Sequence, residues 1–132
     1  MNANNLIIAV DFDGTIVEDA YPKIGATQIF AFETLRKLQG QGYRLILWTY
    51  RNGAKLDEAV IFCKENGIDF YAINKSFPEE DFDPKYSRKI NADLFIDDRN
   101  IGGFIGWTEV YKQIFNYIPE PKKKKGFFSF FK

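Results

Sequence analysis

Two carboxylates, Asp11 and Asp13, stand one residue apart and are followed at once by Gly14 and Thr15. If strand geometry continues through them, alternate residues share a side, which places the two acids facing the same way while Phe12 points the other. Like charges held this close call for a cation or a shared proton to offset their repulsion. The same grammar, a polar cluster closing an apolar run, occurs twice more: at Thr49, followed by Tyr50-Arg51-Asn52-Gly53, and at Asp97-Asp98-Arg99-Asn100. Three or four carboxylates around one point suit Mg²⁺, a hard ion that takes oxygen ligands and shares its shell with waters and a substrate phosphate.

Those residues are far apart in sequence, so the elements between them must bring them together. Leu6 to Val10, Tyr43 to Thr49, Ile68 to Ile73 and Asp93 to Ile96 read as strands, the first two as apolar runs covered on both faces. Ala26 to Gln39, Ala54 to Asn66 and Trp107 to Tyr117 carry apolar residues at helical spacing, and Gly40, Gly42 and Gly67 mark helix stops. Val17 to Gly25 reads as a short polar connection. The stretch from Asn74 to Arg88, with Pro78, Pro84 and four acids, reads as a surface loop. Strands alternating with helices predict an α/β domain: a parallel sheet between helical layers, joined by right-handed crossovers. Such a sheet presents all its strand carboxyl ends on one edge, where Asp11, Asp13, Thr49, Asp97 and Asp98 converge.

Composition removes several kinds of chemistry. The chain has no histidine, which excludes Ser-His-Asp and Cys-His catalysis and histidine-ligated zinc. Its one cysteine, Cys63, has no intrachain partner, and a reducing cytoplasm is the expected setting. Basic and acidic residues number 18 each, so overall charge gives no reason to expect a nucleic-acid partner. The charge is unevenly spread, because residues 120 to 132 hold five lysines and one glutamate, leaving a mildly acidic body. No apolar stretch reaches the roughly 18 residues of a membrane span, and no signal peptide is evident. At 132 residues the chain suits one domain, predicted over 1–119, with a basic and aromatic tail over 120–132.

Asp11-Phe12-Asp13-Gly14-Thr15 resembles the first motif of the haloacid dehalogenase superfamily, whose members are mostly phosphatases. The later motifs follow in that family's order: Thr49 matches the hydroxyl that ends the next core strand, and Asp97-Asp98 the acidic pair that closes the last one. Lys89, shortly before that last strand, is the choice for the family's lysine, with Lys85 and Lys75 as alternatives. The resemblance spans roughly residues 6 to 105 and implies a three-layer, Rossmann-like domain. It implies that Asp11 is a nucleophile forming an aspartyl-phosphate, Asp13 a general acid and base, and Thr49 and Lys89 holders of the phosphoryl oxygens. It also implies Mg²⁺ held by Asp11, by Asp13 through its main-chain carbonyl, and by Asp97, with Asp98 bound through water or orienting Lys89. Arg51 and Arg99 can touch substrate, pair with a carboxylate or serve the surface, and stand outside the catalytic set. Response-regulator receiver domains use similar groups, but there the acid pair closes the first strand and the phosphoacceptor stands on the third.

Larger relatives insert a cap domain after the first motif or before the lysine. Here the two gaps are too short to hold one, so the resemblance implies a capless phosphomonoester hydrolase with an open site. An open site admits a sugar phosphate or something larger, and a homo-oligomer can complete its wall. The competing reading is a non-catalytic protein that uses the acidic pocket to bind Mg²⁺ or a phosphorylated ligand. The tail Lys122-Lys123-Lys124-Lys125-Gly126-Phe127-Phe128-Ser129-Phe130-Phe131-Lys132 suits contact with an anionic membrane, which would place a cytoplasmic protein at the inner membrane surface. The alternative is an end that packs on its own body or a neighbour.

Overall fold

Leu6 to Phe115 are the residues that the structure, a computed structural model, describes; the basic and aromatic tail lies outside them. The elements run β1 (Ile7–Val10), α1 (Ala31–Gly40), β2 (Arg44–Leu47), α2 (Gly53–Glu65), β3 (Ala72–Ile73), β4 (Leu94–Ile96) and α3 (Trp107–Phe115). The four strands form one all-parallel sheet in the order β3-β2-β1-β4. The chain therefore steps outward from β1 to β2 to β3, then returns to the other side of β1. That reversal puts a topological switch point beside β1, and ligands of open α/β sheets bind outside the strand carboxyl ends at such a point.

Alternation along the strands sorts the core into two sides. Ile8, Val10, Leu45 and Leu47 face one way and pack with Phe32, Leu35 and Leu38 of α1, Ala59 and Cys63 of α2, and Trp107 and Val110 of α3. Ala9, Ile46 and Ala72 face the other way and are covered by Ile90, with Ala92, Tyr71 and Trp48 packed against them. All three helices thus contribute to the first side, and the irregular return between β3 and β4 forms the outer layer on the second. The fold is α/β and Rossmann-like in its layering, as the alternation of elements predicts. No helix among the described residues is long and apolar enough to cross a membrane.

Two boundaries differ from expectation for definite reasons. The first helix begins at Ala31 rather than Ala26. Residues before it are committed elsewhere: Val17 bridges Thr27, the Glu18 amide donates to the Ala26 carbonyl, and the Gln28 amide donates to the Ile16 carbonyl. Phe30 then takes a left-handed conformation, φ 67°, which no helix continues through. What looked like a polar connection is therefore a small hairpin-like excursion, anchored by fully buried Val17. The third strand contracts to Ala72–Ile73 because the Ile68 amide is used by the Cys63 carbonyl at the end of α2.

Candidate functional site

Directly after β1, the Asp11 amide donates to the Ile96 carbonyl at 3.0 Å, which ties the first acid to the end of β4 and so to Asp97 and Asp98. The Phe12 carbonyl then accepts from Thr15, Ile16 and Val17 amides, and this tight turn aims the Thr15 hydroxyl back at Asp11 Oδ2, 3.1 Å away. Thr15 is fully buried, and its carbonyl accepts a 2.7 Å hydrogen bond from the Trp107 indole, so α3 braces the turn. Gly14 sits at φ 86°, a conformation that favours glycine, and a Cβ there would collide with the Asp98 carboxylate. Turn and acid pair are packed together that closely.

Carboxylate oxygens of Asp11, Asp97 and Asp98 lie within 4.8 Å of one another. Burial foremost, then a hydrogen bond with Asp98 and the nearby charge of Asp97, push the Asp11 carboxyl up to about 8. Asp98 Oδ1 is buried with no hydrogen-bond partner. A buried carboxylate oxygen without a donor is costly unless a cation faces it, and a cluster of hard carboxylate oxygens is a donor set that hard divalent cations take. The residues fit a divalent ion. Asp13 is not in this group through its carboxylate, so its expected metal contact rests on the main-chain carbonyl alone.

The Asp13 carboxylate is held instead by Arg51. The guanidinium Nε donates to Oδ2 at 2.7 Å and Nη2 to Oδ1 at 2.8 Å, a two-pronged pair with Arg51 only 1% exposed. The remaining donors go to the carbonyls of Pro22 and Lys55 (3.3 Å each, from Nη1) and Lys23 (2.9 Å, from Nη2). Rings of Phe12 and Tyr21 flank the cation at 5.0 and 5.1 Å. Asp13 raises the Arg51 pKa further. One arginine thus joins the second acid, the hairpin-like excursion and the start of α2. The sequence pattern places it outside the catalytic set, because its acceptors come from three separate segments and only its position two residues after Thr49 points to it.

Thr49 follows β2, beside β1, where its amide donates to Asn74 Oδ1 at 2.8 Å and its hydroxyl oxygen accepts the Arg51 amide at 3.1 Å. Among the described residues the Thr49 hydroxyl donates to no acceptor, which leaves its proton available to a ligand of the cleft. Asp11, Asp13, Thr49, Arg51 and Asp97 line one cleft of about 640 Å³, together with Asp19, Tyr21, Trp48, Tyr50 and Arg99. A smaller hollow of about 380 Å³, between Phe30, Trp107 and Tyr111, holds none of the clustered carboxylates. Lys89 does not line the cleft: it stands exposed in the irregular return, just before buried Ile90 anchors that segment to the outer face. Lys85 is likewise exposed, and Lys75 donates to the Pro78 carbonyl at 3.3 Å. Thus Asp11, Asp13, Thr49, Asp97 and Asp98 come together as expected, and the lysine does not. Cys63 is buried in the core, and burial pushes its thiol up to about 12, an inert structural group.

With this geometry in view, comparison with a solved structure is informative. The conserved protein coded by a locus of Bacteroides thetaiotaomicron is 52% identical, over 87% of this chain and 93% of that one, with a TM-score of 0.80. The two chains belong to one family. That relative is described only as a conserved protein, so the kinship establishes fold and family and leaves the chemistry to be argued from the site. No family model matches the chain, and no curated protein matches it.

Proposed function

We propose that this chain is a capless, Mg²⁺-dependent phosphohydrolase of the haloacid dehalogenase type, acting through an aspartyl-phosphate. The observation that carries the reading is the division of labour between the two acids. Asp11 belongs to the carboxylate cluster, and Asp13, on the same turn, is turned away from it into the grip of Arg51. A protein that only bound a cation would need no second acid there to carry protons.

In this reading the Asp11 carboxylate attacks phosphorus, and the P–O bond to the alcohol breaks as the acyl phosphate forms. To act as the acid, Asp13 gives up one of its Arg51 hydrogen bonds and takes a proton from solvent on the freed oxygen, passes it to the departing oxygen, then takes one from the water that attacks the phosphoryl group and regenerates Asp11. The Thr49 hydroxyl donates to a phosphoryl oxygen. Thr15 holds the Asp11 carboxylate in line through its 3.1 Å hydrogen bond. Asp11, Asp97 and Asp98 would hold Mg²⁺, which when bound neutralises charge on the cluster and on the phosphoryl oxygens. The excursion after β1 and the return before β4 leave the cleft open, which suits a sugar phosphate or a larger phosphorylated substrate.

Turnover of a generic aryl phosphate with and without Mg²⁺ tests the proposal. Asp11→Asn and Asp13→Asn are each expected to abolish turnover while keeping the wild-type circular dichroism, and a chelator to abolish it in the wild type. Wild-type activity in Asp11→Asn would refute the nucleophile assignment. Phosphate and Mg²⁺ binding by a wild type inactive across sugar phosphates, nucleotides and phosphoproteins would favour the binding protein instead.

A further inference from the structure

An anion entering this cleft meets carboxylates first. Asp11, Asp13, Asp19 and Asp97 line it, and among the described residues only two cations do, Arg51 and Arg99. Arg51 has nothing left to offer: both Asp13 oxygens and the carbonyls of Pro22, Lys23 and Lys55 take its donors, and its faces are covered by Phe12 and Tyr21. None of the lysines expected to serve the phosphate lines the cleft.

Arg99 differs from Arg51 on each point. Its side chain is exposed and, among the described residues, makes no hydrogen bond or ion pair. Its main chain is fixed, because its amide donates to Asp97 Oδ1 at 2.8 Å while Asn100 Nδ2 donates to the Asp97 carbonyl at 2.6 Å. A free guanidinium is thereby anchored at the rim of the carboxylate cluster by the residue that belongs to it. Its planar fork can take two oxygens of one phosphoryl group at once, which a lysine cannot.

We propose that Arg99 is the substrate-binding cation of this cleft, engaging the phosphoryl oxygens directly and taking the part that the resemblance assigns to Lys89. The inference rests on the phosphohydrolase reading. It follows that the phosphate is clamped from the end of β4, on the same turn that holds Asp97, and that the irregular return before β4 is not required to close over it.

The test uses the full chain with saturating Mg²⁺, an aryl phosphate as substrate and inorganic phosphate as ligand. Arg99→Ala is expected to raise KM and weaken phosphate binding by about tenfold to a hundredfold, the worth of a charge-assisted pair. Arg99→Lys, which keeps the charge and loses the fork, is expected to recover part of that loss. Wild-type KM and phosphate affinity in Arg99→Ala would overturn the proposal, as would a loss confined to Lys89→Ala assayed beside it. If the wild type binds phosphate but turns over no ester, the phosphohydrolase reading fails. Calorimetry with inorganic phosphate still decides Arg99 in that case, since equal affinity in wild type and Arg99→Ala overturns its role as well. A wild type that neither binds phosphate nor hydrolyses an ester overturns both.

Discussion

Replacing Arg51 with methionine removes a cation that is 1% exposed from a carboxylate whose side chain is 17% exposed. Two close charges at an effective dielectric near 20 attract by about 4 kcal/mol, and the net cost of stranding one member of a buried pair is about 3–5 kcal/mol. Methionine recovers some of the packing against Phe12 and Tyr21, so the lower half of that range is expected, about 3 kcal/mol. For a domain of this size that corresponds to a fall in melting temperature of roughly 10 °C. The double variant Arg51→Met/Asp13→Asn separates the causes, because it leaves no uncompensated charge. It is expected to be more stable than Arg51→Met alone by more than about 1 kcal/mol. Arg51→Lys keeps the charge but cannot serve five acceptors, and is expected to fall between wild type and Arg51→Met. Urea denaturation of the four proteins at pH 7 provides the measurement. A loss below about 1 kcal/mol in Arg51→Met would refute the reasoning, since the pair would then be worth no more than an exposed one.

Metal-free protein is expected to lose stability as pH rises. The fold lifts the Asp11 carboxyl from its ordinary 3.8 to about 8, so the native state keeps a proton that the unfolded chain gives up. That contribution is whole below about pH 4 and is lost as pH climbs through 8, by at most a few kcal/mol once solvent screening of a half-buried group is allowed for. Melting temperatures in chelator from pH 5 to 9 should fall in the wild type, and fall less in Asp11→Asn or with Mg²⁺; a flat wild-type curve counts against the crowding of Asp11, Asp97 and Asp98. Gly14→Ala combines a left-handed backbone, φ 86°, with a Cβ driven into the Asp98 carboxylate. It is expected to cost roughly 1–3 kcal/mol and to weaken Mg²⁺ binding measured by calorimetry, whereas unchanged metal affinity would show that Asp98 does not depend on that close approach.

Strand ends were the legible part of this sequence. An apolar run that stops at a carboxylate or hydroxyl carries its own orientation, and parallel topology then forces Asp11, Thr49 and Asp97 to one edge. Arg51 was illegible for the opposite reason: its partners at 13, 22, 23 and 55 are set by tertiary folding, and no periodicity announces them. Ile29 and Phe30 fit a helical apolar spacing, which carries the expected first helix too far toward the N-terminus, whereas the Gln28 amide donates to Ile16 and the backbone of Phe30 is left-handed. Lys89 stands at a suitable distance in sequence before Asp97, but an irregular return does not convert sequence distance into a direction. The return between β3 and β4 carries no hydrophobic repeat, and Ile90 is the residue by which it packs on the sheet.

The indole of Trp107 closes the turn that carries both acids, 92 residues upstream of it. During synthesis the residues of that turn emerge early, but the donor for the Thr15 carbonyl arrives only when nearly the whole globular part has been made. Loss of the chain from Trp107 onward removes that brace from a turn whose acids all remain. In the nascent chain the turn that carries Asp11 and Asp13 therefore lacks one of its hydrogen bonds until Trp107 has been made.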